Sequence, residues 1–361
     1  MNEWETKFAH NLAETCVESL TIEELLKLAG QNASDLSSLL PMKMTYGDIR
    51  GSERLLTAIS GLYQRQMPEN IIVTHGTIGA NMLVHRALVG RGDRVVAVVP
   101  TYQQHYSIPA SIGAEVVPLM LRADDGFLPD LDALRALVTP GTKMIAINNP
   151  NNPTGALMDQ KMLEEIAGIA REVGAYILCD EVYRGTDQAG TGMTVSIADV
   201  YEKGISTAGM SKAFSLAGLR LGWVAGPSEV IEAVSVHRDY DTISVGKLDD
   251  YFAALALENR DRVLARSQRI TRENLGLLAD WVAAEPGIDW IKPKSGTVTL
   301  LKYDAPVGSH EFCVRLIEEE GVLFTPGSAF DMEGYIRIGF ANPKAELKAG
   351  LQRVSAFLLR L

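Results

Sequence analysis

Four short segments of this 361-residue chain carry side chains that could do chemistry together. The first ends an apolar run in a carboxylate: Tyr176-Ile177-Leu178-Cys179-Asp180, then Glu181-Val182-Tyr183. A buried Asp180 facing a ring nitrogen would keep it protonated, since opposite charges in a low-dielectric site stabilise each other. An aspartate at a strand end equally well caps the next turn. In the second segment, Ser211-Lys212 lies between apolar runs, and Arg220 follows eight residues later inside the apolar stretch Leu219 to Val224. A cation in such surroundings calls for an anion, which a phosphate would supply. Burial and the nearby Arg220 are expected to lower the Lys212 pKa, freeing its amine for Schiff-base formation and proton abstraction. The third segment, Asn148-Asn149-Pro150-Asn151-Asn152-Pro153-Thr154-Gly155, is by composition a turn. Asn152 nevertheless offers an amide donor that, with the Tyr183 phenol, could hold a phenolate oxygen. The fourth, Thr74-His75-Gly76-Thr77-Ile78-Gly79-Ala80-Asn81, leads from a strand into a helix whose free N–H groups and dipole attract an anion. Tyr102, after the next apolar run, could stack on a ring or simply pack.

Positioning these groups takes a sheet. From about Ile71 to Ala225, short apolar runs alternate with segments of helical period, the pattern of βα units around a mainly parallel sheet. The runs predict strands at Ile71–Val73, Arg94–Val99, Glu115–Met120, Lys143–Asn148, Tyr176–Asp180, Gly204–Ala208 and Gly222–Ala225. Helices are predicted at Ile78–Val89, Leu131–Val138 and Leu163–Val173. Tyr102 then falls at the sheet's C-terminal edge, where open α/β sheets bind ligands. After Pro227 the pattern changes. One long helix is expected from Asp249 to about Glu285, then strands at Thr297–Lys302, Val322–Thr325 and Tyr335–Phe340, with helices at His310–Glu320 and Lys344–Leu359. Strands and helices without strict alternation suggest a smaller α+β domain. A chain of this length exceeds one ordinary core, so the expected division is a large domain, 45–240, and a small one, 1–44 plus 241–361.

Composition excludes several classes. A net charge of −11 without a basic cluster argues against nucleic acid. No apolar run approaches the length of a membrane span, and Met1-Asn2-Glu3-Trp4-Glu5 lacks the features of a signal peptide. Cys16, Cys179 and Cys313 match neither a disulfide framework nor a zinc site, and the six histidines show no metal spacing. A cytoplasmic protein without a metal is the expectation.

Together the segments resemble the class I/II aminotransferases of pyridoxal-phosphate (PLP) fold type I, from Tyr46 to about Leu359. The Asn-Pro-Thr-Gly turn, Asp180 with Tyr183, Ser211-Lys212 with Arg220, and Arg337 in Tyr335-Ile336-Arg337-Ile338-Gly339-Phe340 stand in family order and spacing. The resemblance implies a mainly parallel seven-stranded sheet flanked by helices, with Lys212 holding PLP as the internal aldimine. It implies Asp180 at the pyridinium nitrogen, Asn152 and Tyr183 at the phenolic oxygen, and Tyr102 stacked on the ring. Gly76, Thr77, Ile78, Ser211 and Arg220 would bind the phosphate, and Tyr46 would reach the phosphate of the other subunit of a homodimer. Arg337, with Asn152, would bind the substrate α-carboxylate. The implied activity moves an amino group from an L-amino acid to a 2-oxo acid by a ping-pong route. A PLP-dependent cyclase or lyase, similar to capreomycidine synthase in motif order, is the alternative. One departure stands out: where the family usually has Ser or Thr three residues before the lysine, this chain has Gly209. The side-chain pocket carries no motif. Cys16 to Ser19 and Arg238 to Thr242 are candidates, and Glu18 could meet a basic side chain or simply be a solvated carboxylate before Thr21.

Overall fold

The computed structural model describes Trp4 and residues 7–361. The expectation for the first five residues therefore lies, Trp4 apart, outside the described residues. A two-residue strand, β1 (His10–Asn11), comes first. Seven strands follow: β2 (Ile71–His75), β3 (Arg94–Val99), β4 (Glu115–Met120), β5 (Thr142–Asn148), β6 (Tyr176–Asp180), β7 (Gly204–Gly209) and β8 (Leu221–Ala225). They form one sheet in the order β2-β8-β7-β6-β5-β3-β4. Strand β8 runs antiparallel to β2 and β7, and the remaining pairs are parallel.

Its central strands are largely apolar because both faces are covered, while the edge strand β4 is partly exposed. Successive side chains point to opposite faces. Val96, Val98, Ile145 and Ile177 thus pack with Leu163, Ile166 and Ala170 of the helix Gln160–Val173. Val95, Ala97, Met144 and Leu178 pack on the other side, with Leu83 and Val84 of the helix Gly76–Leu88 and Val230 and Val234 of the helix Ser228–Arg238. The helix Gln160–Val173 is delimited locally. Asp159 accepts the Met162 N–H at its start, and Gly174, at φ 72°, ends it. Losing that N-cap would cost about 1 kcal/mol.

Five more strands follow: β9 (Ile288–Trp290), β10 (Val298–Tyr303), β11 (Val322–Leu323), β12 (Thr325–Pro326) and β13 (Tyr335–Gly339). An antiparallel sheet runs β12-β13-β10-β9, while β11 pairs in parallel with β1. Two expectations change here. The single helix from Asp249 to Glu285 is two, Lys247–Glu258 and Arg260–Ala284. Asn259 separates them, donating its side-chain amide to the Leu255 carbonyl at 2.9 Å, a local bond that competes with the helical ladder. The strand expected over Val322–Thr325 breaks at buried Phe324, and its two halves join different sheets. Among the described residues no helix is long and apolar enough to cross a membrane, and no cluster of three or more His, Cys, Asp or Glu could hold a metal ion.

Candidate active site

Strand register gathers the polar residues. Asn148 at the end of β5 lies opposite Asp180 at the end of β6, and Asp180 lies opposite Thr207 on β7. A cavity of about 460 Å³ opens over these strand ends.

At its floor, Asp180 is buried, and each of its carboxylate oxygens accepts one hydrogen bond. Its Oδ2 accepts the Asn81 amide at 2.8 Å, and its Oδ1 accepts the Val182 N–H at 3.1 Å. Asn81 in turn accepts the Thr207 hydroxyl at 2.6 Å, which fixes which way the amide faces. His105 approaches the same carboxylate at 3.7 Å. Tyr102 and Tyr183 line the cavity as expected, Tyr102 partly exposed and Tyr183 buried. Burial pushes the Tyr183 phenol up, opposed by the Lys212 and Arg337 charges.

Lys212 projects into the cavity from the loop after β7, next to Ser211. Its amine donates to the Thr15 hydroxyl and to the Cys16 sulfur. The expected fall in its pKa does not occur. Burial does act downward, but Tyr183, Cys16 and Glu14 together outweigh it, so the ammonium is held above the usual lysine range. The Cys16 thiol is itself pushed up to about 11 by burial. At neutral pH Glu14 is therefore the ionised group among those three.

Arg337, on β13, is buried, and all its acceptors are neutral: the Asn152 side-chain carbonyl at 3.1 Å, the Thr325 hydroxyl at 3.0 Å and the Ala13 carbonyl at 3.3 Å. Its Nε has no hydrogen-bond partner among the described residues. Burial lowers its pKa, with Tyr183 and Glu14 opposing. Because Asn152 turns its carbonyl to Arg337, its NH₂ remains the donor.

The phosphate end lies at the start of the helix Gly76–Leu88, which has no side-chain cap. Thr77 and Ile78 line the cavity, and the buried Thr77 hydroxyl has no hydrogen-bond partner among the described residues. Gly76, at φ 65°, does not itself line the cavity. A Cβ on Gly222 would stand 2.4 Å from the Gly76 carbonyl carbon and 2.5 Å from the Thr77 nitrogen, so only glycine lets β8 press on this turn. Arg220 also lines the cavity, but it is exposed rather than enclosed by apolar neighbours. Its left-handed backbone, φ 48°, places it before β8, and its Nη1 donates to the Ala217 carbonyl at 2.9 Å. Gly209 has a steric cause: a Cβ there would meet the Thr77 hydroxyl at 2.6 Å and the Leu221 carbonyl at 2.9 Å. Tyr46 is 78% exposed and lies outside this cavity.

Of the guessed pocket residues only Cys16 reaches the cavity. Glu18 instead stands 3.7 Å from Arg266, and Arg238 is buried elsewhere, its guanidinium without a hydrogen-bond partner among the described residues. The sequence reading gave no role to Asn81, which closes the fourth segment, nor to Thr207, Glu14 and Thr15. Asn81 carried a signal, since it follows Thr77 by four residues and shares its helix face. Glu14 and Thr15 carried none, because no periodicity marks their segment.

An uncapped helix start, an orphaned threonine hydroxyl, a glycine-lined turn and an arginine suit a phosphate. A lysine and a carboxylate on the same cavity suit the aldehyde and ring nitrogen of a phosphorylated pyridine. The fold and site define a PLP-dependent enzyme of fold type I. The chain belongs to the aminotransferase class I and II family, whose model matches residues 18–354, and its cofactor is pyridoxal phosphate. It is 32% identical to capreomycidine synthase of Streptomyces vinaceus over 86% of this chain and 79% of that protein. It is 29% identical to the aspartate/prephenate aminotransferase of Thermus thermophilus, covering 88% and 84% respectively. A solved PLP-dependent aminotransferase from Streptococcus suis superposes with a TM-score of 0.96 at 43% identity, over 99% of this chain and 96% of that one.

Proposed function

We propose that this enzyme moves an amino group from an L-amino acid to a 2-oxo acid by a ping-pong route. The observation that carries this reading is the buried guanidinium of Arg337, bonded only to neutral oxygens and sharing one cavity with the Lys212 amine. Such a site suits a molecule bearing both a carboxylate and an amine.

In this reading Lys212 would hold the cofactor, Asp180 its ring nitrogen, and the Asn152 NH₂ and Tyr183 hydroxyl its phenolic oxygen. Tyr102 would cover the ring. Gly76, Thr77, Ile78, Ser211 and Arg220 would hold the phosphate. Tyr46, exposed on its own chain, would serve the other site of a homodimer. Residues 45–240 form the cofactor domain, and residues 1–44 with 241–361 the substrate-side domain. When bound, the cofactor supplies an electron sink for charge developing at the substrate Cα. Arg337 grips the α-carboxylate with its planar fork, which Asn152 holds in place. Lys212 Nζ removes the Cα proton and later returns it, as general base and then acid. Asp180, held by Asn81 and the Val182 N–H, contributes a fixed negative charge beside the ring. Three unpaired buried cysteines accord with a reducing compartment, the cytoplasm.

The test is to mix the PLP-loaded protein with a panel of amino acids, follow its visible absorption, and assay for 2-oxo acid. Bleaching with 2-oxo acid release is expected. The similarity to capreomycidine synthase supports a second reading, cyclisation or elimination on an amino acid. That reading predicts a spectral change without 2-oxo acid.

A further inference from the structure

Five charged side chains line the cavity: Glu14, Asp180, Lys212, Arg220 and Arg337. In the proposed reading four are occupied, by the ring nitrogen, the aldehyde, the phosphate and the α-carboxylate. Glu14 is left over. It forms no ion pair among the described residues. Its Oε1 accepts the N–H groups of Thr15 and Cys16 at 2.7 and 2.8 Å, the Cys16 thiol also bonds the carboxylate, and the side chain is exposed.

The segment carrying Glu14 is fixed as a strap across the substrate end. The Leu12 carbonyl accepts the Gly339 N–H at 2.7 Å, the Ala13 carbonyl accepts Arg337, and the Thr15 carbonyl accepts the Thr297 hydroxyl at 2.6 Å. A Cβ on Gly339 would stand 1.7 Å from the Glu14 carbonyl oxygen, so the strap lies directly on β13, two residues beyond Arg337. Leu12 and Val17 are fully buried and anchor its two sides. The Glu14 charge acts on both Lys212 and Arg337, the two groups between which a substrate's amine and carboxylate would lie.

We propose that Glu14 determines substrate specificity and that the substrate is an amino acid whose side chain carries a positive charge, an amine or a guanidinium. This rests on the reading of the cavity as a PLP amino-acid site, and holds whether transamination or cyclisation follows. A negative side chain would meet Glu14 as a like charge. A neutral one would bring no charge to meet it.

The experiment mixes the PLP-loaded protein with L-arginine, L-ornithine and L-lysine, with the neutral analogues L-citrulline and L-norleucine, and with L-aspartate and L-glutamate. The rate and half-saturating concentration of the change in cofactor absorption are read for each, whatever the product. At least one cationic amino acid should exceed its neutral analogue in rate over half-saturation by about tenfold or more, the effect of one modest charge interaction. Arginine against ornithine and lysine then tells guanidinium from amine. Glu14→Gln keeps an oxygen for the Thr15 and Cys16 N–H groups, and should bring the cationic-to-neutral ratio down to about one, mainly through half-saturation. Neutral or acidic amino acids reacting as well as cationic ones in the wild type would overturn the assignment while leaving the amino-acid reading intact. Silence toward every amino acid would overturn both. The wild-type comparison decides even if the variant fails to fold.

Discussion

Asn81 holds Asp180 from the cavity floor: its amide donates to Oδ2 at 2.8 Å, and the Thr207 hydroxyl, at 2.6 Å, fixes the amide's direction. Two side chains thus aim the carboxylate before any ligand arrives.

Replacing Asn81 with Leu leaves a buried carboxylate short of one donor. A hydrogen bond to a charged group contributes about 1.5–3 kcal/mol. PLP affinity is therefore expected to fall by roughly tenfold to a hundredfold. Titration of the cofactor-free variant with PLP checks this, and unchanged affinity would show that Asn81 merely fills space.

Gly209 and Thr77 exclude each other's side-chain atoms. Gly209→Ser, although it restores the usual hydroxyl, is expected to weaken PLP binding by about tenfold, as overpacking by a few atoms costs about 1–3 kcal/mol. Adding Thr77→Ala removes the closest clash and should recover part of the loss. Additive losses in the double variant would deny the coupling.

Lys212→Ala removes the amine that takes the Cα proton. Turnover is expected to drop by about a thousandfold or more. Retention of appreciable 2-oxo acid formation by this variant would reassign the base.

His85 is fully buried, its ring edge against His105 at 5.8 Å between centroids, and burial with that neighbour lowers its pKa to about 3. An unfolded chain binds a proton at this residue below about pH 6.5, the ordinary histidine value, which the folded chain refuses. Stability is therefore fully present above pH 6.5 and is lost progressively as pH falls toward 3. His85→Phe should flatten the decline of denaturant midpoint between about pH 6.5 and 4. An unaltered slope would place the acid sensitivity elsewhere.

Much of this was legible in the chain. Strands β3, β4 and β6 fall on the predicted residues, because each is a short apolar run closed by turn-forming neighbours. Most of the cofactor-side residues converge because they follow strands of the same sheet, while Arg220 comes in just before β8. The direction of the Lys212 shift was not legible, because two of the three residues that raise it, Cys16 and Glu14, come from the strap, about two hundred positions away; the Lys212–Thr15 contact spans 197. Nor was the break at Asn259, where one side-chain hydrogen bond outweighs a helical pattern on both flanks. The gap left at Gly209 makes sense only once Thr77 is seen against it.

The strap also sets an order of assembly. Its bonds to Arg337 and Thr297 close loops of 324 and 282 residues, among the longest closures in the molecule. Contacts so distant along the chain form late. Residues 71–225, which hold most of the ring and phosphate groups, leave the ribosome well before β13 exists. The growing chain can thus begin to shape its cofactor cradle first, and gains a substrate end only when its earliest residues meet its last strand.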